Sequence, residues 1–219
     1  MIFCKETDLI QTPIGLVPND WEVAQISDIA EINKESRDPS RESPDVTFQY
    51  VDIESVTGGS ERIKKNKKTL GKEAPSRARR VIHENDVLMS TVRPYLKAFT
   101  IVPKWYDNEI CSTGFAVLTS KENVDPRFLL HTLFSDNVIS QCNRMMVGGQ
   151  YPALNSSQVA EIKLPLPPMP EQRAIVRVLD VVDSTIELTD NLIAKTERLK
   201  KGLMQQLLTH GIGHTETKQ

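Results

Sequence analysis

The densest chemical signal in the chain is ERIKKNKKTLGKEAPSRARR, residues 61–80. Arg62, Lys64, Lys65, Lys67, Lys68, Lys72, Arg77, Arg79 and Arg80 stand there against only Glu61 and Glu73, a local excess of +7 in a chain whose formal net charge is −2. A weakly acidic chain that is locally this basic suits an anionic partner, above all a nucleic-acid phosphate backbone. A solvated surface loop would carry the same charges, so the run does not decide alone. Two further loops share its chemistry. Thr91-Val92-Arg93-Pro94-Tyr95-Leu96-Lys97 brings Arg93, Tyr95 and Lys97 into one tight turn, and Gly148-Gly149-Gln150-Tyr151 sets Gln150 and Tyr151 beside two glycines with Arg144 upstream. Arg and Lys contact phosphates or guanine edges, and Gln pairs well with adenine. Any one of these residues could simply close a core edge; taken with the basic run, they favour nucleic acid.

The signatures of turnover are absent from the sequence. No G-x-x-x-x-G-K-[ST] loop and no G-x-G-x-x-G opening a helix occurs, so nucleotide phosphates lack their usual backbone cradle. The only Pro-Pro, within Leu166-Pro167-Pro168-Met169, lacks the Asn or Asp and the aromatic of a base-holding methyltransferase turn. Glu161-Ile162-Lys163 has the form of a nuclease tripeptide, but its acidic companion Asp45 lies more than a hundred residues away. His210 and His214 sit four apart, yet Gly211 and Gly213 between them break the helix that would align them for a metal. No Ser or Cys lies in a G-x-S-x-G elbow. A binding chain with no metal and no catalytic residue is the expectation; a small nuclease or methyltransferase, or a coiled-coil adaptor without a DNA role, are the alternatives.

These loops need elements to hold them. Residues 45–57 alternate β-branched and aromatic with polar residues and predict a strand; 81–92 and 97–102 predict strands around the turn RPYL, and 111–120 another with a bend at Gly114. Apolar residues at 128, 129, 133, 134, 138 and 139 predict one helix over 125–145, with Asp125 as N-cap and Pro126 at its first position. A short helical turn over NSSQVAEI precedes an extended, proline-rich connector at 164–170. Cys4, Cys111 and Cys142 are scattered, as reduced cytosolic thiols are, and no run of 18 apolar residues could cross a membrane. The start MIFCKETDLIQTP lacks the apolar core of a secretory signal, so a cytoplasmic protein is expected.

From Glu171 to His210 the sequence contains one glycine and no proline. Ile175, Leu179, Val182, Ile186, Thr189, Ile193, Thr196, Lys200, Leu203 and Leu207 alternate spacings of four and three, and seven of these ten are apolar. That is a coiled-coil seam. A helix of about 39 residues is roughly 58 Å long, too long to bury its stripe on a small domain, so it requires a partner helix. Gly211 stands where a C-terminal glycine cap belongs.

Five blocks in order then carry a resemblance: PIGLVPNDWEV (13–23), VLMSTVRPYLKA (87–98), STGFAVL (112–118), LPLPPMPEQRAIV (164–176) and LKKGLMQQLLTHGIG (199–213). Together they resemble the DNA-specificity subunit of type I restriction-modification systems over about 12–213. The resemblance implies an α/β mixed globular target-recognition domain followed by a long coiled-coil-forming α-helix. It divides the chain into a recognition domain (1–163), a proline-rich connector (164–170), a spacer and dimerisation helix (171–210) and a tail (211–219). It further implies that double-stranded DNA is the ligand and that two such domains, spaced by antiparallel helices, each read half of a split site. Methyltransferase subunits would dock on this scaffold carrying S-adenosylmethionine, a motor-nuclease subunit would join, and this chain would bind no cofactor. The family usually carries two domains and two helices where this chain has one of each, and GHTETKQ (213–219) resembles the junction into a second copy. The chain is therefore expected either to pair with itself through the helix or to form half of a full-length specificity subunit.

Overall fold

The computed structural model describes residues 8–56, 63, 68–146 and 152–212. A hairpin of β1 (Leu9–Thr12) and β2 (Gly15–Pro18) turns through Gly15, whose φ of 107° excludes most side chains. β3 (Glu22–Gln25) runs through the single turn α1 (Ile26–Ile29) into β4 (Ala30–Ile32). α2 (Pro39–Glu42) starts where the Asp38 carboxylate accepts the Ser40 N–H at 3.1 Å. β5 (Thr47–Val51), β6 (Lys68–Leu70), β7 (Ala78–Ile82), β8 (Val87–Ser90), β9 (Phe99–Ile101), β10 (Glu109–Ser112) and β11 (Phe115–Ser120) follow. α3 (Pro126–Leu133), α4 (Asp136–Met145), α5 (Ser156–Ala160), β12 (Lys163–Leu166) and α6 (Met169–His210) complete the described chain. The fold is the expected α/β globule followed by a long helix.

Two four-stranded sheets, ordered β6-β5-β10-β7 and β4-β11-β8-β9, form the frame. Side chains alternate across a strand, and the second sheet uses both faces. Val87, Met89, Ala116 and Leu118 face one way, into a cluster with Leu129, Leu130 and Leu133 of α3, Val138 of α4 and Ile162. Leu88, Phe115 and Val117 face the other way, against Val51, Ile82 and Cys111 of the first sheet. The β4-β11-β8-β9 sheet is thus the middle layer, covered by helices on one face and by a sheet on the other. This explains why β8 reads VLMS with all four residues buried, with no polar alternation to mark it.

Several sequence expectations change here. Residues 45–57 are not one strand: β5 stops at Val51 because the Asp52 carboxylate accepts the Ser55 N–H at 2.9 Å and starts a 3-10 turn, Ile53–Ser55. Residues 81–92 divide into β7 and β8 around a turn at His83–Asp86, where the Asp86 carboxylate accepts the His83 N–H at 2.8 Å. Residues 111–120 become β10 and β11, bent at Gly114, where an added Cβ would lie 2.7 Å from Ile53 Cδ1. The single helix over 125–145 is two helices. Asp125 caps the first with Pro126 at its first position, as expected, but Ser135 Oγ accepts the Val138 N–H at 3.3 Å and caps a second. The proline-rich connector is corrected most: Lys163–Leu166 is a strand, β12, paired antiparallel with β3 from Lys163↔Gln25 to Leu166↔Glu22. A proline is tolerated there because β12 lies at the edge of a two-stranded sheet.

The chain divides into two compact units, Met1–Val176 and Arg177–Gln219. The opening turns of α6 belong to the first. Gln172, only 1% exposed, accepts the Asp125 N–H at 2.9 Å through Oε1 and donates through Nε2 to the carbonyls of Pro167 at 2.9 Å and Asn123 at 3.1 Å. Trp21 Nε1 donates to Glu171 at 3.1 Å.

Candidate nucleic-acid interface

Topology brings several candidate loops to one end of the two sheets. β5, β8 and β10 end there, while β6, β7, β9 and β11 begin there. Backbone hydrogen bonds stitch the loops into a rim: Thr113 N–H to Arg77 O at 2.9 Å, Thr91 N–H to Gly114 O at 2.8 Å, Leu154 N–H to Thr91 O at 2.9 Å and Arg93 N–H to Pro152 O at 3.1 Å. Exposed Arg77 precedes β7, and exposed Lys68 begins β6 on its rim side. Half-buried Arg93 and exposed Tyr95 lie on the 91–97 loop. Tyr50, which sequence reasoning missed, reaches the same region. Burial leaves its phenol pKa raised, with a side-chain hydrogen bond to Ser112 and the nearby Arg77 charge offsetting part of the rise. Its sequence position, mid-strand in TFQYV, gave no signal.

Other candidates are committed elsewhere. Arg79 donates to Ala78 O at 2.8 Å and pairs with Asp38 at 3.2 Å. Arg80 is half-buried, with desolvation lowering its pKa, and its strand edge bridges Ser36. Lys97 turns inward: its Nζ donates to Phe134 O at 2.8 Å and lies 3.6 Å from Asp136. The Arg79 and Lys97 side chains are engaged within the fold and that of Arg80 is half-buried, whereas the sequence reading assigned all three to the ligand surface. Arg144 is exposed in the last turn of α4, a helix packed against the Pro94–Leu96 turn. Arg62, Lys64, Lys65, Lys67, Gln150 and Tyr151 lie outside the described residues. Of the described residues near them in sequence, Ile63 bridges Val56 and Ala153 bridges Val92.

The helical unit has its own surface. Along α6 the seam residues Leu179, Val182, Ile186, Ile193, Leu203 and Leu207 are 37–54% exposed, while Ile175 in the opening turns is partly covered. A second apolar row, missed from sequence, runs one residue ahead of the seam: Val178, Val181, Leu188, Leu192 and Leu199, 51–70% exposed. Leu188 and Leu199 are apolar where the seam itself turns polar at Thr189 and Lys200. The apolar band is therefore wider than a two-helix seam requires. Gly211, at φ 70° with its N–H on Leu207 O at 2.9 Å, ends the helix as a left-handed cap, as its position predicted.

Both parts recur together in known proteins. The model of the type I restriction modification DNA specificity domain matches residues 18–198, spanning the rim-bearing globule and most of α6. The chain belongs to the type I restriction-modification DNA specificity domain family. The HsdS subunit from Thermoanaerobacter tengcongensis superposes with a TM-score of 0.72 at 35% identity, covering 93% of this chain and 52% of that one. The type I restriction enzyme EcoDI specificity subunit of Escherichia coli is 23% identical over 192 residues, 86% of this chain and 41% of its own length. The S subunit from M. genitalium, at 16% identity and a TM-score of 0.57, shares the fold. The chain thus spans about half the length of these specificity subunits.

The end of this specificity domain opposite the rim is built differently. His83 lies 3.3 Å from both Glu35 and Asp107, and Arg37 donates to Glu35 at 3.1 Å and Asn108 at 3.0 Å. Burial pulls the His83 pKa down, but hydrogen bonds to Glu35 and Asp107 outweigh it and leave the value raised. The same imidazole holds Glu35 below the ordinary carboxylate range. Hydrogen bonds tie these charged side chains to one another. Cys111 and Cys142 are buried thiols whose desolvation raises their pKa, that of Cys142 to about 11, so neither is a nucleophile near neutrality. Within Glu161-Ile162-Lys163, Ile162 is fully buried and Lys163 begins β12. No described helix is long and apolar enough to cross a membrane.

Proposed function

We propose that this chain reads one half of a split DNA sequence and scaffolds the subunits that act on it. The observation that carries this reading is the gathering of Lys68, Arg77, Arg93 and Tyr95 on one sheet end in a member of the specificity-domain family. Phosphate contacts from the exposed cations would position the duplex, and the tight loops would contact base edges. The chain contributes recognition and no chemistry. S-adenosylmethionine and the target adenine would be held by methyltransferase subunits, and cleavage would belong to a motor-nuclease subunit. The apolar band of α6 would pair with a second such helix, from another copy of the chain or from the other half of a longer subunit. Its second row leaves apolar surface for a further helix from the methyltransferase. A homodimer would read a palindromic split site.

Duplex binding measured against salt tests this reading. The account expects log K to fall linearly with log salt, by about 0.9 per phosphate neutralised. Lys68→Ala with Arg77→Ala weakens binding to all sequences and flattens the slope by about 2; adding Ala at Lys64, Lys65 and Lys67 flattens it further. Binding that ignores salt, or no binding even with a methyltransferase subunit present, would leave a coiled-coil adaptor instead.

A further inference from the structure

Among the described residues, five other than glycine have positive φ: Asn33, Asn85, Asn108, Arg93 and Lys97. Asn adopts this left-handed region at small cost, but Arg and Lys do not. The two costly residues bracket one feature, the 3-10 turn Pro94–Leu96, with φ of 49° at Arg93 and 53° at Lys97. Strain of this kind persists only where the surroundings enforce it, and here they do. Pro94 is buried; the Leu96 N–H bonds Arg93 O at 2.9 Å and the Lys97 N–H bonds Pro94 O at 2.8 Å. The Arg93 N–H is held by Pro152 O at 3.1 Å, and Lys97 Nζ by Phe134 O at 2.8 Å. α4 packs against the same turn.

This fixed turn presents two large apolar side chains to solvent, Tyr95 at 43% and Leu96 at 56% exposure. Side chains that only closed the core would face inward, as Pro94 does. The turn follows the rim residue Thr91, whose N–H bonds Gly114 O at 2.8 Å beside Thr113, which is held in turn by Arg77 O at 2.9 Å. A rigid aromatic and aliphatic pair on a rim that also carries exposed Lys68 and Arg77 matches the chemistry of a duplex: phosphates for the cations, apolar base faces and thymine methyls for the pair. We propose that Tyr95 and Leu96 form an apolar wedge that enters a DNA groove and presses on a base step, adding selectivity through stacking and deformation to whatever hydrogen bonds the neighbouring loops make. The wedge rests on the DNA-reading proposal and specifies one of its contacts.

The test selects duplexes from a random-sequence pool with the full chain, alone and with a methyltransferase subunit, then compares variants on the enriched duplex. The wedge predicts that Tyr95→Ala with Leu96→Ala lowers affinity for the enriched duplex roughly 5- to 150-fold, the range commanded by one lost base contact. Affinity for an unrelated duplex and the salt slope stay unchanged. Tyr95→Phe and Leu96→Met keep specific affinity within about twofold, because they retain the apolar bodies. 2-Aminopurine scanned through the enriched site brightens at one step with the wild-type chain and not with the double alanine variant. Unchanged specificity in the double variant, an equal loss on both duplexes, or a loss confined to subunit assembly would overturn the wedge while leaving DNA reading intact. No enrichment by the wild-type chain would overturn both.

Discussion

The first two turns of α6 and the rest of that helix treat their side chains in opposite ways. Gln172 is polar and 1% exposed, with its amide making three hydrogen bonds, and Val176 is 7% exposed. Leu188 and Leu208 are apolar, yet 70% and 80% exposed. One continuous helix thus begins as core and continues as unsatisfied surface. Internal packing accounts for the opening turns, and nothing within residues 177–210 covers the remainder. Exposed apolar bands of this length mark an interaction surface, and the second apolar row shows that the surface exceeds one seam.

The largest effect that would break this contrast lies on the seam. Burying the remaining half of six aliphatic side chains against a partner contributes roughly 5–9 kcal/mol. Val182→Glu with Ile193→Glu should therefore abolish association, read as a fall in mass by light scattering or loss of the methyltransferase subunit, while the globule's melting temperature holds. An unchanged mass with assembly intact would mean that the seam is only a solvated stripe. The next effect is on the other side of the contrast. Gln172→Leu strips partners from three backbone groups and should destabilise the globule by about 1–3 kcal/mol per buried group left unsatisfied, without altering helix pairing. Denaturant midpoints of wild type and variant check it; equal midpoints would show that the amide network carries no weight.

These two regions also differ in how legible they were. The 4-3 spacing of α6 is local and periodic, so its seam and Gly211 cap could be read directly from residue order. The second row was not read, because Leu188 and Leu199 fall off a strict seam and only the helix surface shows them adjacent to it. In the globule, the Asp125-Pro126 start of α3 was legible, but the Ser135 cap that splits the helix was overridden by apolar spacing that continues across it. The proline-rich 164–170 stretch looked unpaired because proline suggests a connector; its pairing with β3 depends on a strand some 140 residues away. Among the candidate site residues, charge was visible in sequence but commitment was not. Arg79 and Lys97 have the same residue types as Arg77 and Lys68, and only Asp38 and the Phe134 carbonyl reveal that they are occupied. Tyr50 reaches the rim through β5, a placement set by its parallel pairing with β10.

The central claim is that α6 spaces two DNA-reading heads. Inserting one heptad after Thr189 keeps the seam in phase and lengthens the helix by roughly 10.5 Å, about three base pairs of duplex at 3.4 Å each. The account predicts that the insertion variant, mapped beside wild type by selection of bound duplexes, keeps both half-sites unchanged and widens the gap between them by about two to three base pairs. An unchanged gap with both half-sites still bound would contradict the spacer role of the helix.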